Sequence, residues 1–171
     1  MGNESAKKMK LNLGCGKDIK KGYINLDFIE LPGVDVVHDL NKYPWPFKNN
    51  EFDEIYASHV LEHLDNLPRA MEEIWRITKP NGRVIVRVPH FSCGINYQDP
   101  THRRLFSYFT FDFFENKFKI LKRTLNFTRT KLTVLNKLIN PFINLSPLIY
   151  ERVFCWIFPC SEVLCELSPK K

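Results

Sequence analysis

The stretch Lys10-Leu11-Asn12-Leu13-Gly14-Cys15-Gly16-Lys17 reads as a short buried strand that stops abruptly in a Gly-x-Gly turn. Two glycines are wanted there because one position needs a positive φ and the other must let backbone approach a ligand with no Cβ in the way. Taken alone, such a pair is a weak signal of nucleotide binding. The sequel strengthens it, because Tyr23-Ile24-Asn25-Leu26-Asp27 is a second short strand whose apolar residues run into a carboxylate. In nucleoside-binding α/β units an acid at the end of the second strand accepts the ribose hydroxyls, about 20 residues beyond the first strand. Here Asn12 and Asp27 are 15 residues apart. That spacing leaves a first helix of only a turn or two, around Asp18 to Lys21.

The chain continues as an alternation of strands and helices. Leu31-Pro32-Gly33 marks a turn, and residues 34–40 form a short strand ending at His38-Asp39-Leu40. Tyr43-Pro44-Trp45-Pro46-Phe47 is excluded from helix and central strand by its prolines and reads as a lid or packing loop. Residues 52–60 give a fourth strand, at whose carboxyl end His59, Glu62 and His63 gather. Leu67, Ala70, Met71, Ile74 and Trp75 make one helical stripe, with Asp65 or Asn66 as N-cap. Pro80-Asn81-Gly82 is a tight turn into a fifth strand over residues 83–88, which closes at Pro89-His90.

In this order the motifs resemble the class I S-adenosylmethionine-dependent methyltransferases. The resemblance rests on Leu11-Asn12-Leu13-Gly14-Cys15-Gly16, on Asp27, on His38-Asp39-Leu40, on Phe52 through His63, and on Lys79-Pro80-Asn81-Gly82-Arg83-Val84-Ile85-Val86. It spans roughly residues 9–90. It departs in Asn12, where the family often has an acid, and in Ile19, which stands in place of a third glycine. The family implies a Rossmann-like α/β fold: a mostly parallel twisted sheet with an antiparallel last strand, helices on both faces and here a reduced first helix. It also implies S-adenosylmethionine as cofactor, held by Asn12, Gly14, Cys15 and Gly16, by Asp27, by Asp39 with Leu40, and by Ser58 and His59. For Asp39 a helix cap or loop acid is the alternative.

Asp99-Pro100-Thr101-His102-Arg103-Arg104 and the aromatics after it put an acid, an imidazole and two guanidinium groups directly after the fifth strand. The segment resembles the Asp-Pro-x-His-x-Arg segment of a small subgroup of these methyltransferases, many of which look like enzymes acting on saccharides or other small metabolites. An aromatic-rich helix start with exposed arginines is the plainer alternative. Methyl transfer from a sulfonium is an in-line displacement governed by positioning in a dry pocket, and it demands neither a covalent residue nor a metal. A hydroxyl acceptor calls for a general base. His102, oriented by Asp99, is the first candidate and His63 an alternate, with His59 and His90 behind them. Arg103 and Arg104 are placed on an anionic part of the acceptor, beside His90 and Tyr108.

A chain of 171 residues with 44% hydrophobic content is expected to form one domain: residues 1–9 a flexible start, 9–90 the cofactor-binding core, and 91–171 the substrate side. The formal charge of +6 is uneven: residues 1–116 hold 15 Lys/Arg against 16 Asp/Glu, and residues 117–171 hold 10 against 3. The basic last third attracts nucleic acid, anionic lipid or a phosphorylated substrate, or is simply a solvated face. Five cysteines without a Cys-x-x-Cys pair give no zinc site or disulfide framework, and the polar start has no apolar core of a signal peptide, so a cytoplasmic protein is expected.

Residues 118–127 read as a sixth strand, Leu132, Leu135, Leu138 and Ile139 as a helix that Pro141 ends or kinks, and Ser146-Pro147 as the start of a second helix running through Phe158. Residues 162–167 are the last strand. The longest apolar run, residues 153–158, is too short to span a bilayer. The C-terminal helix either covers the pocket or lies on a membrane surface. The favoured reading is methyl transfer to a small molecule or saccharide, with RNA methylation and a non-enzymatic cofactor-binding or membrane-surface protein as alternatives.

Overall fold

The computed structural model describes residues 8–129 and 133–171. The start of the expected flexible N-terminus and Leu132 lie outside the described residues. Strands β1 (Lys10–Leu13), β2 (Ile24–Asp27), β3 (Val36–Val37), β4 (Phe52–Ser58), β5 (Thr78–Pro89), β6 (Phe118–Asn126) and β7 (Glu162–Pro169) form one sheet in the order β3-β2-β1-β4-β5-β7-β6. β7 runs antiparallel to both β5 and β6, and the pairs among β1 to β5 are parallel. Strand order reverses between β1 and β4, which places the ligand crevice of such a sheet at their carboxyl ends.

The central strands are buried as their composition requires, with Leu11, Leu13, Leu26, Ile55, Ala57, Val84, Val86 and Val88 all withdrawn from water. Helix α1 (Leu67–Ile77) carries the expected stripe inward on Leu67, Ala70, Met71 and Ile74, while Trp75 is only partly buried. Its N-cap is Asn66, whose Oδ1 accepts the Arg69 N–H at 3.0 Å.

Several local expectations are corrected. No helix forms between β1 and β2: Asn12 and Asn25 replace it with side-chain bonds. Asn12 Nδ2 donates to the Asp18 carbonyl at 2.8 Å and to Asn25 Oδ1 at 3.0 Å, and Asn25 Oδ1 also accepts the Lys20 N–H. The third strand shrinks to Val36–Val37 at the sheet edge. β4 ends at Ser58, two residues early, because His59 adopts φ +54°. β5 begins at Thr78, where α1 ends, and Pro80-Asn81-Gly82 sits in a bulge across which pairing steps from Phe52 opposite Thr78 to Glu54 opposite Arg83. The proline-rich loop is a packing element. Trp45 is fully buried, its N–H bonds Glu73 Oε2 at 2.7 Å and its Nε1 bonds the Leu40 carbonyl at 3.1 Å.

The C-terminal third departs most from the sequence pattern. Helix α3 (Thr133–Leu145) runs through Pro141 and turns a polar stripe, not its leucines, toward the sheet. Asn136, Asn140 and Asn144, spaced one turn apart, bond the backbone of the β6 edge and the residues beyond it. Asn144 Oδ1 accepts the Leu125 N–H at 2.8 Å and Asn144 Nδ2 donates to the Leu125 carbonyl at 2.9 Å, while Asn140 and Asn136 accept the Phe127 and Thr128 N–H groups. The edge is thereby capped by amide side chains in place of another strand. Leu135, Leu138, Phe142 and Leu145 face water as a consequence. The second C-terminal helix is shorter than expected: α4 (Pro147–Ile149) passes into a π-helical turn over Tyr150–Phe154 and stops there.

Asn144→Ala removes both partners of Leu125 and is expected to cost about 1–3 kcal/mol, read as a lowered urea midpoint, with hydrogen exchange accelerated first at Leu125 and Phe127.

Candidate functional site

Gly14 and Gly16 both have left-handed backbone, with φ of +58° and +49°. A Cβ on Gly14 would lie 2.4 Å from Val60 Cγ2, so this glycine lets the end of β1 close on the residue after His59; the space about Gly16 is open. Between these strand ends opens a cleft of about 540 Å³, lined by Gly14, Asp27, Phe28, His38, Asp39, Leu40, Asn41, His59, Val60, His63, Leu64 and Thr101. Its size suits a small-molecule site. Asp27, nearly buried at the end of β2, accepts the Gly16 N–H on Oδ2 at 2.7 Å and the Ile29 N–H on Oδ1 at 3.1 Å. Each carboxylate oxygen keeps a further lone pair. Asp39 Oδ1 accepts the Asn41 N–H, and Leu40 is buried beside it.

Beyond His59 a 3₁₀ turn over Leu61–His63 brings Glu62 inward and His63 to the cleft. His59 is gripped by two carboxylates, Nδ1 with Glu62 Oε1 at 3.2 Å and Nε2 with Glu162 Oε2 at 3.3 Å. Burial opposes its charged form, yet the bonds to Glu162 and Glu62 prevail and hold its pKa above the ordinary imidazole value. Glu162, almost wholly buried at the start of β7, also bonds Arg87 Nη2 at 2.6 Å and Asn126 Nδ2 at 2.9 Å. Burial raises its pKa, but the bonds from His59, Arg87 and Asn126 overcome that and lower it to about 2.

Helix α2 (Ile95–Gln98) and the loop after it supply the facing side. Thr101 Oγ1 donates to Asp99 Oδ1 at 2.6 Å and meets His63 Nδ1 at 2.9 Å. His102 stacks edge-on against His63, with ring centroids 4.7 Å apart, and its Nδ1 meets Asn96 Oδ1 at 3.2 Å. Asp99 Oδ2 is 3.7 Å from His102 Nε2.

The structure therefore brings together Gly14, Asp27, Asp39, Leu40, His59, His63, His102 and Asp99, and separates others from them. Asn12 braces the glycine loop and faces Asn25, not the cleft. Cys15 and Gly16 belong to the adjoining turn and Ser58 to the end of β4, none of them lining the cleft. His90 is fully buried between Ser92 Oγ and Glu151 Oε1, where it fastens the π turn to the end of β5. Arg104 spends its guanidinium on the carbonyls of Leu64 and Asp65, Arg103 pairs with Asp65 at 2.8 Å, and Tyr108 lies under Arg123. These four do not line the cleft. Thr101, Val60, Asn96 and Glu162 were not singled out from the sequence; only Thr101, inside the Asp-Pro-x-His segment, carried a signal there.

A methyltransferase-domain family model matches residues 15–86. Over 43% of this chain the sequence is 33% identical to the arginine-hydroxylase NDUFAF5, mitochondrial, of Homo sapiens, and over the same share 33% identical to the ubiquinone/menaquinone biosynthesis C-methyltransferase UbiE of Brucella canis. The matches cover 26% and 25% of those proteins, so the chain spans about a quarter of the length of the curated relatives it matches. A solved S-adenosylmethionine-dependent methyltransferase from Archaeoglobus fulgidus superposes with a TM-score of 0.66 at 20% identity, over 96% of this chain and 87% of that one. The fold is thus the Rossmann-like one of class I methyltransferases. Residues 15–86 match the methyltransferase-domain family, and the open space at Gly16 and the free lone pairs of Asp27 fit S-adenosylmethionine, the cofactor which that resemblance implies.

Glu162 makes the site sensitive to acid. Its folded pKa lies below the unfolded value of 4.5, so its contribution to stability is complete above pH 4.5 and is lost as the pH falls toward 2. In urea titrations the stability gap between wild type and Glu162→Gln should narrow across that interval.

Proposed function

We propose that the protein transfers the methyl group of S-adenosylmethionine to an oxygen of a small hydroxylated acceptor, saccharides included, seated where His63 and Thr101 close the cleft. The observation that carries this reading is the meeting, at one end of the sheet, of the Gly14–Asp27–Asp39 cleft with the imidazoles of residues 59–63 and 102. When bound, the cofactor supplies an electrophilic methyl carbon. Asp27 is suited to the ribose hydroxyls, and Asp39 with Leu40 to the adenine. A hydroxyl must shed its proton during transfer, and of the two paired rings His63 is the one that lines the cleft, His102 being only 5% exposed. His63 thus takes the role expected of His102, and Asp99, expected to orient that base, acts on His63 through Thr101.

The C-terminal third supports a peripheral membrane contact on the cytoplasmic side, in preference to nucleic acid. A groove of about 520 Å³ between α3 and the π turn is walled by Phe142, Ile143, Leu145, Ile149, Phe154 and Phe158. Around it Leu145 is 84%, Phe142 76% and Trp156 65% exposed, within the basic third of the chain. An apolar, Trp-bearing surface with cationic flanks matches an anionic lipid interface better than a polar polyanion. No helix among the described residues is long and apolar enough to cross a membrane.

Calorimetric titration with S-adenosylhomocysteine should show binding that Asp27→Ala weakens by about 1–3 kcal/mol, and labelled cofactor should then mark the acceptor in a screen of hydroxylated compounds. Absence of binding to wild type overturns the reading. In co-sedimentation the protein should pellet with anionic and not zwitterionic vesicles, less so as Trp156→Ser or at high salt.

A further inference from the structure

Glu62, His63 and His102 each offer one ligand atom within 4.8 Å of the other two. The hydrogen bonds around them determine which atoms are free. The single hydroxyl hydrogen of Thr101 is committed to Asp99 Oδ1, so Thr101 Oγ1 accepts from His63 Nδ1–H, and the lone pair of His63 is on Nε2. Asn96 is oriented by its Nδ2, which donates to the His90 carbonyl at 2.6 Å, so its Oδ1 accepts from His102 Nδ1–H and leaves the lone pair of His102 on Nε2 as well. Glu62 is fully buried. Its Oε1 takes His59, while Oε2 has no hydrogen-bond partner among the described residues. A bare buried carboxylate oxygen beside two outward imidazole lone pairs is a costly arrangement unless something electron-poor sits among them.

We propose that Glu62, His63 and His102 form a site for one divalent transition-metal ion, ligated by Glu62 Oε2, His63 Nε2 and His102 Nε2. Two imidazoles and a carboxylate suit Mn(II), Fe(II), Co(II) or Zn(II), whereas Mg(II) and Ca(II) prefer oxygen ligands. An ion about 2.1 Å from each atom holds tetrahedral ligand atoms about 3.4 Å apart, so binding draws together whichever pair stands near the 4.8 Å limit by about an ångström, through rotation of the side chains. Thr101, Asp99 and Asn96 are the outer partners that hold ring tautomer and orientation, as around established metal sites. Glu62 is buried and, of the two histidines, His63 is the one that lines the cleft, so the remaining coordination positions open on its side.

The ligand those positions take is an acceptor oxygen. A hydroxyl bound there loses its proton to solvent as the metal–alkoxide or metal–phenolate bond forms, by the same lowering of pKa that metal ions impose on water. With the ion bound, the His63 Nε2 lone pair that serves as base in the metal-free cleft is a ligand instead. This chemical role rests on the methyl-transfer reading above; the binding of the ion does not.

The test is titration of the untagged, chelator-treated full chain with Co(II), followed by visible d–d absorption, and with Zn(II), followed by calorimetry. One ion per chain is expected, with affinity reduced at least tenfold in Glu62→Gln, His63→Ala and His102→Ala. Thr101→Val, which leaves the ligands in place, should weaken binding by about tenfold. Thermal melts and S-adenosylhomocysteine binding of each variant report on folding. Failure of wild type to take up either ion, or uptake that no variant changes, overturns the proposal. Cofactor binding without metal uptake refutes this site alone. Metal uptake without cofactor binding supports the site and refutes the methyl-transfer reading.

Discussion

The close approach of Gly14 to Val60 is the contact on which the site depends. β1 and β4 are parallel neighbours on either side of the reversal in strand order, and their ends can form a cleft only if the chain leaves both strands sharply. A side chain at position 14 would meet Val60 at 2.4 Å, and the φ values of Gly14 and His59 turn the two chains away in left-handed conformations. The absence of a Cβ at Gly14 therefore serves strand-end packing at the edge of the cleft, while the space about Gly16 in the adjoining turn stays open. His59 is a non-glycine residue held at positive φ, a conformation that persists where the surroundings fix it. Here the two carboxylates that bond its ring do so.

That grip connects the antiparallel end of the sheet to the cleft. Glu162 is the first residue of β7, and from there it reaches β5 through Arg87, β6 through Asn126 and the end of β4 through His59. A buried carboxylate is tolerable only when such partners replace water. The same network fixes the turn over residues 61–63, and so the placement of Glu62 and His63 opposite the Thr101–His102 loop. Glu151 does similar work further out, accepting from Ser107 and Tyr108 while bonding His90, which joins the C-terminal turn to the carboxyl end of β5.

The C-terminal third shows how tertiary context reverses a helical pattern. The leucines of α3 resemble a core stripe, yet the β6 edge offers unpaired N–H and C=O groups, and asparagine amides one turn apart satisfy them. The stronger demand is for partners to the edge backbone, so the amides face inward together with Ile139 and Ile143, and Leu135, Leu138, Phe142 and Leu145 remain at the surface.

Legible in the sequence alone are the α/β class, the order of the strands along the chain, α1 with a cap at Asp65 or Asn66, the carboxylates at Asp27 and Asp39, and the gathering of histidines after the fourth strand. Those features are local: apolar periodicity, turn chemistry and the end of a strand are written in neighbouring residues. The tertiary structure decided that Asn12 braces a loop, that His90, Arg103, Arg104 and Tyr108 stand away from the cleft, and that α3 is turned over. It also decided that Glu162, 103 positions from His59, completes the site. Whether a charged or polar side chain meets a ligand or a neighbouring backbone depends on which groups the fold leaves unpaired beside it, and those groups come from distant parts of the chain.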